Sequence, residues 1–237
     1  MFNSRIWLAA LAMILASAAL APAAQAEYYT GEEGGKNVKT IMDGTANSNQ
    51  VFVVGSYTTT CTGYSGSDEF ATGMSKVLRT EQATYSDCST VGATDSTVTT
   101  NGCEFKFGEP KKAGAGYTIS SAEFACPVNK RVEIHIYTDK THVTSLCTIT
   151  IWPAAGTGTE TIEEAVEEES TGENLEGGGA KTFVLNVDVK NLFYEEHGTK
   201  CKDAQDKKLQ GATLTGGILW RGTNAKGTAI DALMSGP

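Results

Sequence analysis

Close cysteine pairs are missing from this sequence. Its six cysteines stand 27, 15, 23, 21 and 54 positions apart, which excludes the C-x-x-C spacing of zinc knuckles, haem attachment sites and thioredoxin-like redox centres. Histidine is scarce, with only His135, His142 and His197 to serve as general bases. No G-x-S-x-G elbow exists, because Gly63-Tyr64-Ser65-Gly66-Ser67 fails at its last position. The glycines and lysine of Gly177-Gly178-Gly179-Ala180-Lys181-Thr182 are misplaced for a P-loop. No basic stripe with interleaved aromatics suggests nucleic acid. The longest apolar run, Ile6 to Leu20, is short of the roughly 20 residues a membrane-spanning helix needs.

That run is instead the core of an export signal. Arg5 supplies the positive end, and Ala24-Gln25-Ala26 has the small-x-small form of a cleavage site. Cleavage after Ala26 leaves 211 of the 237 residues, enough for a real hydrophobic core. The formal net charge is −9, and losing Arg5 takes it to −10. Such acidity disfavours nonspecific attraction to nucleic acid or anionic lipid. The expectation is a secreted protein, extracellular or in the cell envelope, with no membrane insertion after the signal is removed.

An even set of widely spaced cysteines in an exported chain reads as three disulfides. Spacing alone does not select a connectivity. Sequential pairing, Cys61–Cys88, Cys103–Cys126 and Cys147–Cys201, is expected because it joins strands close in sequence.

Apolar alternation with period two recurs, while helical stripes are scarce. Val132, Ile134 and Ile136 share one face, and Cys147, Ile149 and Ile151 another. Phe183, Leu185, Val187, Val189 and Phe193 are expected to point inward along the longest run. Further candidate strands are Gln50 to Val54, Ser56 to Thr62, Met74 to Tyr85, Ser96 to Thr100, Cys103 to Phe107, Tyr117 to Phe124 and Ala212 to Trp220. Threonine is abundant in these runs, as suits a pleated surface facing water. Glycine-rich turns separate them, so the fold class is all-β: an antiparallel β-sandwich, or an open barrel, stapled by three disulfides. Residues 27–49 read as a flexible N-terminal arm and 50–222 as the β-rich domain. An acidic insertion spans 156–180, and 223–237 reads as a loose tail.

The cysteine neighbourhoods Thr84-Tyr85-Ser86-Asp87-Cys88, Asn101-Gly102-Cys103-Glu104-Phe105, Cys126-Pro127-Val128-Asn129-Lys130 and Cys147-Thr148-Ile149-Thr150-Ile151 resemble those of uncharacterised secreted proteins of actinobacteria. Those proteins look threonine-rich and all-β. The likeness covers roughly Val51 to Trp152 and Phe183 to Cys201. It implies an exported, disulfide-bonded protein and carries no activity, cofactor or catalytic residue.

Candidate chemistry is thin. His135 lies two residues from Glu133 on one strand face, with Asp139 and His142 beyond, so a zinc site is conceivable; a solvated face bearing a histidine is the ordinary reading. The glutamates from Glu160 to Glu176 lack EF-hand spacing, and Glu163-Glu164 and Glu167-Glu168 would repel along any helix. Glu123, Glu133 and Asp188 are carboxylates on candidate strands that a glycosidase would need to bring face to face. Trp152, Trp220, Tyr57, Tyr64, Tyr137 and Tyr194 would offer sugar-stacking surface if exposed. The expectation is a non-enzymatic exported β-domain, an interaction or structural module for an unknown protein or glycan, with no cofactor, metal or catalytic residue assigned. The alternatives are a carbohydrate-binding module or glycan-active enzyme, and a calcium-stabilised adhesin-like domain.

Overall fold

Alternating apolar and threonine-rich positions make strands nearly everywhere the computed structural model describes, which is residues 27–114, 116–119, 122–153, 171–175, 180–198, 200–202 and 207–235. In chain order these are β1 (Tyr28–Glu33), β2 (Lys36–Asn37), β3 (Thr40–Ala46), β4 (Gln50–Val54), β5 (Tyr57–Phe70), β6 (Met74–Ser75), β7 (Leu78–Arg79), β8 (Glu81–Thr90), β9 (Asp95–Thr99) and β10 (Glu104–Phe107). There follow β11 (Pro110–Ala113), β12 (Gly116–Ile119), β13 (Ala122–Ala125), β14 (Val132–Tyr137), β15 (Ser145–Trp152), β16 (Thr171–Leu175), β17 (Thr182–His197), β18 (Leu209–Asn224) and β19 (Ala229–Ser235).

The expected antiparallel β body with three disulfides is present, and the pairing adds that it closes on itself. β3 and β4 share the same two neighbours, β5 and β18, and act as one strand interrupted at 47–49. From there the antiparallel path runs β5, β8, β9, β14, β15, β17, β18, and β18 pairs back to β3 and β4. Order around the ring is order along the chain, so this is an up-and-down barrel. Opposite walls share one core, as the two layers of a sandwich would. The thinnest seam is β8–β9, with a single register pair, Cys88↔Ser96.

Inward positions are Phe52, Tyr57, Tyr64, Ile134, Ile136, Ile149, Ile151, Leu185, Leu214, Ile218 and Trp220, all buried in one continuous cluster. Outward positions are mainly polar: Thr58 and Thr60 on β5, Thr97 and Thr99 on β9, Thr148 and Thr150 on β15, Thr213 and Thr215 on β18. Burial of the apolar set supplies about 1.5–3 kcal/mol per large side chain.

All elaboration sits at one end of the ring. The entry into β3 (with β1 and β2), the β5–β8 link (β6, β7), the β9–β14 link (β10 to β13), the β15–β17 link (β16) and the return after β18 (β19) share that end. There β7, β10 and β13 form a separate three-stranded sheet whose Leu78, Phe105, Phe107 and Phe124 join the core. The opposite end has plain connections at 55–56, 91–94 and 138–144.

The disulfides pair sequentially as expected: Cys61–Cys88 across β5 and β8, Cys103–Cys126 beside the β10–β13 ladder, and Cys147–Cys201 from β15 to the segment after β17. Five expectations need correction. The arm at 27–49 contains β1, β2 and β3, and the tail at 223–237 contains the end of β18 and β19. The two termini pair with each other, Thr30 opposite Leu233 at a separation of 203 positions, a partnership no local pattern announces. Met74 to Tyr85 divides into β6, β7 and β8, and Tyr117 to Phe124 divides between two sheets. Phe193 is not inward, because a bulge separates it from Val189. The expected signal segment 1–26 and the expected insertion 156–180, apart from 171–175 and Ala180, lie outside the described residues.

Candidate functional site

One stretch of the barrel wall gathers chemistry that its neighbours lack. Strands β14 and β17 flank β15 and run in the same direction, since each is antiparallel to it. Both carry Glu-x-His, Glu133-Ile134-His135 and Glu195-Glu196-His197. Register aligns the two motifs: Glu133 and Glu195 both face Thr150, while His135 and His197 both face Thr148. Period-two alternation then places all four side chains and both threonines on the outer face. His135 Nε2 is 3.3 Å from Glu133 Oε2, and His197 Nε2 is 3.6 Å from Glu195 Oε2. His135 Nδ1 is 3.2 Å from the Thr148 hydroxyl. Arg131 donates to Glu195 across 2.9 Å and lies 3.9 Å from the centre of the Trp152 ring.

The bulge in β17 creates this alignment. Phe183, Leu185, Val187 and Val189 point inward, and unbroken alternation would send Glu195 and His197 inward as well. Instead the register shifts between Val189 and Leu192, with Asn191 at φ +58°. Asparagine tolerates that left-handed backbone better than most residues. Leu192, Tyr194 and Glu196 therefore turn in, and Phe193, Glu195 and His197 turn out. The sequence reading named His197 only as one of three possible bases and missed Glu195; the repeated Glu-x-His was visible, but its register was not.

The other candidate residues do not converge. Asp139 accepts hydrogen bonds from the backbone N–H groups of Thr141, Val143 and Thr144 and from the Thr141 hydroxyl, so it shapes the β14–β15 turn, and these bonds hold its carboxyl below the usual range. His142 sits 2.9 Å from Asp95 and stacks on Tyr137 at 4.4 Å. The His142 hydrogen bond, helped by the Ser96 N–H, lowers the Asp95 pKa. Glu123 is on the small sheet, and Asp188 lies seven positions before Glu195, roughly 20 Å along the strand, paired with Lys190 at 3.1 Å. Glu123, Glu133 and Asp188 are therefore not brought face to face. Of the six aromatics, Trp220, Tyr57, Tyr64 and Tyr194 are buried inside; Tyr137 and Trp152 stand on the outer wall, Trp152 only 7% exposed beneath Arg131 and Lys208. Lys208 covers Phe193 at 3.8 Å beside Trp152.

Thr148, His135 and Glu133 have the spacing of a nucleophile, base and orienting acid. Among the described residues, no oxyanion donor stands beside them. Central-strand N–H groups lie in the sheet plane, committed to the ladder on both sides, so none is available at this face to stabilise an oxyanion. Among the described residues, Cys147, Glu196 and Cys201 form a close group of metal-ligand types, but the sulfurs are bonded to each other. An open groove of about 230 Å³ between β1, β2, β6 and β19 is lined by Tyr28, Thr30, Glu32, Gly35, Asn37, Met74 and Ser235 and holds no histidine.

Comparison with known proteins adds no relative: no family model, no curated protein and no solved structure matches the chain.

Proposed function

We propose that this chain is an exported, non-enzymatic β-barrel module that meets its partner through its outer wall. The observation carrying this reading is the occupied barrel centre, where Phe52, Tyr64, Ile134, Ile149, Leu185 and Trp220 stand in the space a ligand-carrying barrel would leave open. The outer wall is threonine-rich and charged, the reverse of the apolar band a membrane barrel needs. Three disulfides suit an oxidising compartment. The resemblance of the cysteine neighbourhoods to secreted actinobacterial proteins points the same way.

Two measurements test the reading. Intact mass of protein exported from a bacterial host, before and after reduction, should give a chain starting at Glu27 with three bridges. Chromogenic ester, amide and glycoside substrates should show no turnover. Turnover that disappears in Thr148→Ala or His135→Ala would make the wall an active site and overturn the module.

A further inference from the structure

We infer that Cys147–Cys201 is a thiol-exchange site, open at Cys201 to small anionic thiols and served by the buried carboxyl of Glu196 as proton carrier. The three bridges differ in access. Cys61, Cys88, Cys103, Cys126 and Cys147 are buried, and Cys201 alone is part-exposed. Cys61–Cys88 is clamped between the adjacent barrel strands β5 and β8. Cys201 lies instead on the segment after β17, where the chain turns at Gly198, φ +134°, back onto Cys147 of β15. A thiolate displaces one sulfur from the other by approaching from the side away from the leaving atom. Access therefore selects Cys201 as the sulfur attacked and Cys147 as the one that leaves.

Charge selects the same sulfur. Lys200 and Lys202, both exposed, flank Cys201. Asp87 precedes Cys88, Glu104 follows Cys103, and the other cysteines have uncharged neighbours. The backbone N–H of Lys202 donates to the Tyr57 hydroxyl at 2.8 Å, and its Nζ stands 5.2 Å from the centre of that ring, so the segment is held in place. Two cations beside the attacked sulfur favour a thiolate, and most of all one carrying further negative charge. Behind the bridge, Glu196 is fully buried, a rare setting for glutamate. Its carboxylate oxygen and the two sulfurs all lie within 4.8 Å of one another. A thiolate set free in that interior is disfavoured until it gains a proton. The incoming thiol sheds its proton and bonds to Cys201 Sγ. The bond between the two cysteines breaks, and its electron pair goes to Cys147 Sγ, which takes up a proton through Glu196. A mixed disulfide on Cys201 and a thiol at Cys147 result. One disulfide is made for one broken, so no further oxidant or reductant is required.

The test exposes the folded, oxidised protein to excess reduced glutathione, traps thiols by alkylation and maps the peptides by mass. Glutathione should appear first on Cys201 and the free thiol first on Cys147, at least about tenfold faster than exchange at either other bridge. Cysteamine, a cationic thiol, should react more slowly at equal thiolate concentration, and added salt should narrow the difference. Glu196→Gln should slow exchange at this bridge at least about tenfold and leave the other two rates unchanged. Three bridges opening together, another bridge opening first, or glutathione on Cys147 would overturn the site. Cysteamine reacting as fast as glutathione overturns the anionic class, and Glu196→Gln exchanging as fast as the parent overturns the proton carrier. If near-UV circular dichroism shows Glu196→Gln unfolded, the order of opening and the position of glutathione in the parent protein decide.

Discussion

The two ends of the barrel are built from different materials. At the elaborate end the interior is aromatic: Tyr29, Phe70, Phe183 and Trp220 meet Leu78, Phe105, Phe107 and Phe124 of the small sheet, and the Tyr29 hydroxyl donates to Gly108 at 2.9 Å. At the plain end sulfur and hydroxyl groups share the interior with Val54, Tyr57 and Ile136. The Cys61–Cys88 and Cys147–Cys201 bridges lie there with Thr59, Thr90, Ser96 and the buried Glu196. Ser96 donates to Thr90 across 2.7 Å, and Thr90 and Thr59 share a bond of the same length. Short turns give the plain end little apolar material to bury, and two of its tip residues, Val91 and Val143, stay 77% and 81% exposed. Covalent closure takes over where packing is thin.

The largest test of this division strikes the bulge between the halves. Inserting one residue after Asn191 shifts the alternation beyond the bulge by one and drives Glu195 and His197 into the core, so the chain should lose near-UV circular dichroism and fail to form native bridges. Next come one substitution at each end. Trp220→Ala should cost about 3–5 kcal/mol by leaving a cavity. The pair Cys61→Ala with Cys88→Ala should cost about 3.5 kcal/mol and lower Tm by about 7–14 °C. Equal curves for the double variant and the parent would show that the plain end does not depend on sulfur.

A smaller effect is expected from Cys103→Ala with Cys126→Ala. The small sheet can open while the ring stays paired, so hydrogen exchange should quicken across 104–107 and 122–125 and leave β14 and β15 protected. Tm should fall less than half as far as for the Cys61–Cys88 pair.

Acid provides the mildest contrast, because the ends carry carboxylates shifted in opposite directions. Asp95 and Asp139, at the plain end, have folded pKa values below their unfolded ones, so their contribution is present above the ordinary carboxylate range and lost as pH falls through the folded values. Asp68, at the elaborate end, is raised by burial, against backbone bonds from Arg79 and Glu69; protonation relieves it as pH falls. Carboxyl-carbon NMR should place Asp68 above Asp95 and Asp139. Exchange in the 138–144 turn should quicken on acidification before that around Asp68.

Much of this was legible in the chain. Val132-Glu133-Ile134-His135-Ile136 could only be a half-buried strand, and sequential disulfides follow once neighbours in sequence are neighbours in the sheet. Ring closure was hidden, because β18 meets β3 across the length of the protein. The strands at the termini were hidden for the same reason: Gly31, Thr40 and Ala232 carry no signal until they find partners. The wall site was half visible. Period two exposes Glu133 and His135, but a single left-handed asparagine decides where Glu195 and His197 go.

Because Cys61 joins Cys88, Cys103 joins Cys126 and Cys147 joins Cys201, every thiol's mate is the next to emerge during N-to-C synthesis or translocation. An oxidant that bonds thiols in order of arrival makes the native set at the first attempt, with no wrong pair to reshuffle. The topology thus writes its own assembly schedule: each hairpin is sealed before the following one appears, and only the final seam awaits the last strand.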